Sequence, residues 1–193
     1  MTIIIGIKDK KNTYLATDSQ WTKGQIKGKC DKIFVKELKV IDSDGQIKNI
    51  EKIYFAETGD LVNGEWVKYV FDLPDKLDTE TDIEYLINSL CYNLRKNMLN
   101  TGLIEEINSK VKTNIWFTIV YNKKIYQINN RCGLFIPKED YVVDGSGEEI
   151  ALGSLYTTKN SKLTVKERIK LAVESCDYHS IYVDGEVNIV DCK

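Results

Sequence analysis

A threonine at position 2, a single histidine and five scattered cysteines bound the chemistry this chain can perform. Methionine aminopeptidases remove an initiator methionine before a small residue, so loss of Met1 would leave Thr2 with a free α-amine beside its own hydroxyl. His179 is the sole imidazole, which excludes a His-rich metal site and leaves one base for any His-dependent triad. No convincing Gly-x-Ser-x-Gly elbow accompanies it, so His179 reads as a surface or interface residue. Cys30, Cys91, Cys132, Cys176 and Cys192 are odd in number, irregularly spaced and without a Cys-x-x-Cys pair. They signal neither a disulfide framework nor a zinc ribbon, but reduced thiols in a cytoplasmic compartment. Taken singly, Asp18 and Lys32 read as an ordinary ion pair. Gly145-Ser146-Gly147 reads as a strand-to-helix turn with Ser146 capping the helix, and Asp177 with Ser180 as a helix C-terminal turn.

The elements that must position these residues are legible from periodicity. Thr2 to Ile7 is β-branched, and Thr13 to Thr17 follows a polar turn, which predicts a hairpin. Trp21 to Lys29 is expected to be a loop. Strands are expected at Lys32 to Ile41 and Ile50 to Glu57, joined through Asp44-Gly45, a strong hairpin cue. A helix is predicted over Leu61 to Phe71, with Pro74 beyond it. Thr81 and Glu84 form a capping box, in which hydroxyl and carboxylate each satisfy an orphan backbone donor. Behind it Ile83, Leu86, Ile87, Leu90, Leu94 and Met98 make an apolar stripe to about Asn100, ended by Gly102.

Strands return at Asn114 to Tyr121 and Lys124 to Ile128 around Asn122-Lys123, and Tyr141-Val142-Val143 leads into Asp144-Gly145-Ser146-Gly147. Glu148 to Tyr156 reads as helix, and Thr164 with Glu167 opens another through Cys176. A last strand pair is expected at Ser180 to Val183 and Val187 to Val190, around Asp184-Gly185. The order is strands, helices, strands, helices, strands, which predicts segregated sheets and helices in one α+β domain over residues 1–193.

The motifs taken in order resemble a family. Thr2-Ile3-Ile4-Ile5-Gly6-Ile7, Leu15-Ala16-Thr17-Asp18-Ser19, Asp31-Lys32-Ile33 and Phe55-Ala56-Glu57-Thr58-Gly59 are similar to the start of β-type proteasome subunits and of the bacterial HslV peptidase. Val143-Asp144-Gly145-Ser146-Gly147 and Cys176-Asp177-Tyr178-His179-Ser180 extend the likeness over nearly the whole chain. The resemblance implies an N-terminal nucleophile hydrolase with a four-layer αββα sandwich of two mostly antiparallel sheets. It also implies roles: Thr2 as nucleophile, Asp18 as supporting acid, Lys32 as the essential lysine, and Ser146 near the threonine amine. Asp177 and Ser180 match the acid and serine at the end of the penultimate helix. Gly59 is the candidate oxyanion glycine, with Glu57 and Thr58 as the other occupants of that turn.

The implied chemistry is coherent. A threonine hydroxyl needs an adjacent base. The free amine of Thr2, with an ordinary pKa of about 8, supplies one. An ammonium at Lys32 would lower the pKa of hydroxyl and amine, and Asp18 would hold that lysine charged and oriented. Neither metal nor cofactor is required. The sequence departs from the pattern in a shortened segment between Asp18 and Lys32, a lengthened hairpin around Asp44-Gly45, Ile181-Tyr182 in place of a glycine pair, and Glu57-Thr58 before the oxyanion glycine.

The bulk properties are compatible with this. The chain has 193 residues, 42% of them hydrophobic and 29% charged, as a folded globular protein requires. A net charge of −2 gives no general attraction to nucleic acid or membrane surface, and no apolar run reaches the roughly 18 residues of a membrane span. The activity that the resemblance implies is threonine-type hydrolysis of peptide or unfolded-protein substrates, in a homo-oligomeric ring that an AAA+ ATPase unfoldase feeds. Maturation is expected to need only loss of Met1, and the catalytic subunit type is expected rather than the noncatalytic type with its extra helix before the first strand. Two other readings stand beside it: a catalytically silent proteasome-like scaffold or inhibitor, and a small-amide hydrolase on the same fold.

Overall fold

A computed structural model describes residues 2–23, 26–107 and 110–193. In the first half the strands are β1 (Ile3–Lys8), β2 (Thr13–Thr17), β3 (Gln20–Lys23), β4 (Ile26–Lys29), β5 (Ile33–Ile41) and β6 (Ile47–Gly59). After α1 (Leu61–Tyr69) come β7 (Lys76–Leu77), α2 (Asp82–Glu84), a π-wound segment Tyr85–Cys91 and α3 (Tyr92–Asn100). The strands β8 (Glu105–Ile107), β9 (Lys110–Lys112), β10 (Ile115–Tyr121), β11 (Lys124–Ile128), β12 (Leu134–Phe135) and β13 (Tyr141–Gly145) follow. The chain closes with α4 (Glu148–Thr157), α5 (Val165–His179) and β14 (Asn188–Cys192).

Two sheets carry the architecture. One is antiparallel, ordered β13-β1-β2-β14; the other runs β12-β11-β10-β6-β5-β7, with only the β5–β7 pair parallel. The period-2 alternation of the strands sorts their side chains into layers. Ile3, Ile5 and Ile7 of β1 pack with Val143 against Ala151, Leu155, Ile169, Ala172 and Val173 of α4 and α5. Ile4, Leu15, Val142 and Cys192 meet Tyr54, Ala56, Val120 and Ile125 between the sheets. Phe34, Ile53, Phe55 and Phe117 on the far side of the second sheet pack against Val67, Tyr85, Leu90, Leu94 and Met98. The result is helix, sheet, sheet, helix, the predicted four layers. Gly6 lets the sheets approach, since a Cβ there would stand 3.0–3.2 Å from Val142, Ile125 and Thr118.

Both predicted capping boxes form, Thr81 with Glu84 and Thr164 with Glu167. Two expectations fail. Gln20–Lys23 and Ile26–Lys29 pair as β3 and β4 where Trp21 to Lys29 was expected to be a loop, because the Trp21 ring lies on Gly28, where a Cβ would come within 2.4 Å of Trp21 Nε1. Ser180 to Val183 is not a strand. Instead α5 continues to His179, Val183 plugs the helix-facing core, and of the expected last pair only β14 forms, along the edge of β2. Asp184 is drawn away to Lys27, and Glu186 pairs with Lys29 at 3.0 Å, tying this turn to the β3–β4 hairpin.

Candidate active site

The centre of the site is Asp18, at the end of β2 and fully buried. Its Oδ1 accepts from the backbone N–H of Ile3 at 3.0 Å and from Lys32 Nζ at 2.8 Å, while Oδ2 accepts from the Gln20 N–H at 3.2 Å. One carboxylate thus fixes three segments: the residue after Thr2, the start of β5, and β3. The ion pair is sealed from water, with the Lys32 side chain 2% and the Asp18 side chain 0% exposed. Burial pulls the Lys32 ammonium below its ordinary pKa, and Asp18 is the main group opposing that shift.

Thr2 is buried beside this pair. Its carbonyl accepts from the Ser146 N–H at 2.7 Å. That contact requires Gly145, which has φ +102° and where a Cβ would lie 2.1 Å from the Thr2 oxygen. The structure therefore brings Thr2, Asp18, Lys32 and the Ser146 backbone together. Ser146 itself is exposed, and α4 is capped by Gly147 without any side-chain bond, so the expected Ser146 cap does not form.

A small cleft opens over Thr2 and Lys32, walled by Gln20 and Trp21 on one side and by Glu57, Gly59 and Leu61 on the other. Gly59 ends β6 at φ +114°, packed so tightly on Asn114 that a Cβ would lie 1.9 Å from its carbonyl oxygen. Asp60 then caps α1 by accepting from the Val62 N–H at 2.8 Å. Trp21, placed in a loop by the sequence reading, lines the cleft. Cys30 is half-buried and is not among the cleft residues; burial raises its thiol pKa.

Asp177 lies exposed in the last turn of α5, and Ser180 is the residue capping that helix. Ser180 N–H donates to the Cys176 carbonyl at 2.8 Å, and its hydroxyl accepts from Tyr182 N–H at 3.2 Å. Neither side chain bonds Thr2 or Ser146 among the described residues. The end of α5 nevertheless abuts the Ser146 turn, because Cys176 Sγ contacts the Gly147 carbonyl at 3.3 Å. His179 is exposed and meets the Tyr178 ring edge-on. Met1 lies outside the described residues, and among those described no cluster of His, Cys, Asp and Glu could hold a metal ion.

Glu57 is marked in the sequence as a departure before Gly59 and as another occupant of the oxyanion turn, with its burial missed. It is 6% exposed, its Oε2 has no hydrogen-bond partner among the described residues, and burial pushes its carboxyl pKa up to about 7. Lys68 and Lys32 oppose that shift and Glu65 adds to it. The signal was present: Ile53 and Phe55 alternate onto the helix-facing side of β6, and Glu57 continues that alternation.

No family model and no curated protein matches the sequence. Solved structures do match the fold. The chain is similar to BPH of Thiobacillus denitrificans, solved in complex with epoxomicin, at TM-score 0.72 and 14% identity over 100% of both chains. It is similar to the eukaryotic HslV of Trypanosoma brucei at TM-score 0.64 and 12% identity, covering 98% of each chain. The Anbu complex of Pseudomonas aeruginosa, solved as a helical assembly, matches at TM-score 0.64 and 11% identity over 98% of this chain and 80% of that one. The fold is that of the N-terminal nucleophile hydrolases, as the motif order implied. No described helix is long and apolar enough to cross a membrane.

Proposed function

We propose that this chain is an N-terminal threonine peptidase whose nucleophile is Thr2 once Met1 has been removed. The observation that carries the reading is the single buried carboxylate of Asp18 holding both the Ile3 N–H and the Lys32 ammonium, next to Thr2. In the proposed reaction the Thr2 hydroxyl attacks the carbonyl carbon of the scissile amide and its proton passes to the Thr2 α-amine. Lys32 lowers the energy of the developing alkoxide, and the backbone N–H of Gly59 receives the oxyanion. Collapse of the tetrahedral intermediate breaks the C–N bond. The α-ammonium protonates the departing amine, leaving an ester on Thr2. Water activated by the regenerated α-amine hydrolyses that ester and restores the enzyme. Ser146, Asp177 and Ser180 are assigned to the environment of the α-amine, supported by the contact of α5 with the Ser146 turn.

The substrates are peptides or unfolded polypeptide in the cytoplasm, and the chain works in a homo-oligomeric ring served by an ATPase unfoldase. The complex of the T. denitrificans protein with epoxomicin and the helical assembly of the P. aeruginosa protein support the active-site and assembly parts of this reading. The test is an intact-mass spectrum before and after treatment with a peptide epoxyketone, whose electrophilic carbons suit a hydroxyl and an amine on one residue. The expected result is a chain lacking Met1 that gains one adduct, with none on Thr2→Ala. A Met-free chain that gains no adduct overturns the reading in favour of a silent scaffold. A labelled chain that cleaves small amides but no peptide overturns it in favour of the amide hydrolase.

A further inference from the structure

Two buried side chains in the cleft over Thr2 offer hydrogen-bond acceptors that no described residue uses. Glu57 is 6% exposed and Gln20 is 4% exposed, so both are more than nine-tenths buried, and both line the cleft with Thr2. Glu57 Oε2 and Gln20 Oε1 have no hydrogen-bond partner among the described residues. The Gln20 amide is held by its Nε2, which donates to Thr22 Oγ1 at 3.0 Å, so its oxygen is the part left over. Buried polar atoms of this kind cost stability unless something satisfies them.

From these atoms we infer that Glu57 and Gln20 form a cation-recognising pocket, selecting peptides with Lys or Arg as the residue whose carbonyl Thr2 attacks. The inference rests on the peptidase reading above and adds its substrate class. A side chain adjacent to a carbonyl held at Thr2 enters this same small cleft. An ammonium or guanidinium there supplies the donors that both oxygens lack, and pairs with the carboxylate in a site sheltered from water. An aliphatic side chain would leave both acceptors dry and unpaired, and an acidic one would face Glu57 directly.

The charges around the pocket allow this. Lys32 of the β5 start is engaged by Asp18 at 2.8 Å, Lys68 and Glu65 approach from α1 with opposite signs, and Asp60 stands at the rim. The carboxylate is also mechanically fixed. It nests on α1 at Gly64, where a Cβ would come within 1.9 Å of Glu57 Oε2, while the Glu57 N–H donates to the Lys32 carbonyl at 3.1 Å. Glu57 is thereby bound to the residue that precedes β5, Lys32 itself.

The test is kcat/KM for fluorogenic peptide amides that differ only in the residue before the scissile bond, Lys, Arg, Leu or Asp, with wild type and Glu57→Gln. Wild type is expected to favour Lys or Arg over Leu by roughly 30-fold, the scale of a desolvated charge pair. Glu57→Gln is expected to collapse that ratio to within a few-fold, a comparison independent of how much of the variant is folded. If the variant cannot be purified, the wild-type Lys-to-Leu ratio between pH 6 and 8 serves instead, and is expected to rise with pH as the carboxyl ionises. Preference for Leu or Asp, a ratio Glu57→Gln leaves intact, or a flat pH profile overturns the pocket and leaves the peptidase reading standing. Absence of any cleavage together with no epoxyketone adduct overturns the peptidase reading itself, and the pocket with it.

Discussion

The pair Asp18–Lys32 can be weighed by a double-mutant cycle of Asp18→Asn, Lys32→Met and the two together. Asparagine keeps the volume of Asp18 and one acceptor but loses the charge that faces an ammonium only 2% exposed. Removing one partner of a buried pair costs about 3–5 kcal/mol. At about 2–4 °C per kcal/mol for a chain of this size, Asp18→Asn is expected to melt some 6–20 °C below wild type at pH 7. The sign of the pH dependence follows from Lys32, whose folded pKa is already depressed and falls further without Asp18. Between that folded value and the unfolded one of about 10.4, the unfolded chain binds more protons, so stability rises with pH. The deficit of Asp18→Asn relative to wild type therefore shrinks on going from pH 7 to 9.5. Lys32→Met in the Asp18→Asn background should recover part of the loss, giving a coupling of at least about 2 kcal/mol. Full recovery is not expected. The Ile3 and Gln20 N–H groups at 3.0 and 3.2 Å both need the acceptors that asparagine only half supplies. Thermal melts by circular dichroism at the two pH values read all of this. Additivity of the two substitutions within about 0.5 kcal/mol would refute the assignment of the pair as the clamp of the site.

Three further outcomes follow from other contacts. Because the Glu57 carboxyl is raised to about 7 from an ordinary value near 4.5, the folded chain holds that proton longer, and stability falls as pH rises through that window. Glu57→Gln should flatten this fall, worth up to about 3 kcal/mol, in urea titrations at pH 5 and 8. Glycine to alanine inside a helix ordinarily stabilises by about 1 kcal/mol. Gly64→Ala should do the opposite, and regain the normal sign when combined with Glu57→Ala, because the added Cβ would stand 1.9 Å from the carboxylate. Thr164→Ala should cost about 1 kcal/mol, because it removes the hydroxyl that accepts from the Glu167 N–H at 3.3 Å in the capping box, measured by the same titration.

The sequence was most transparent where one local signal and the global layers agreed. Ile3, Ile5 and Ile7 against Ile4 announce two buried faces of β1, and the structure puts one under the helices and the other between the sheets. Thr81 and Thr164 mark helix starts by a mechanism that needs nothing beyond three residues of context. Signals that depended on a distant partner were harder. The strand β7 is two residues long and exists because Lys76 and Leu77 find Val40 and Ile41 in parallel register. Lys76 reaches Asp82 at 2.7 Å and the Tyr121 hydroxyl at 2.9 Å, contacts with no periodic trace. The hairpin of Trp21 was hidden because glycine and lysine have low strand propensity, and the deciding interaction is a ring lying on Gly28.

The same distinction explains why the site was half visible. Thr2, Asp18 and Lys32 could be placed in roles by order along the chain, yet their worth as an ion pair depends on burial, which composition does not reveal. An exposed pair of this kind contributes little. With both side chains sealed, the pair instead becomes a constraint linking the segment after Thr2 to the start of β5. Glu57 shows the reverse error. Its charge marked it as a departure before the oxyanion glycine, whereas the alternation of Ile53 and Phe55 already sent it toward α1. Where an acid falls on an apolar face, the pattern is the stronger witness to position, and the charge is then a statement about what the position must bind.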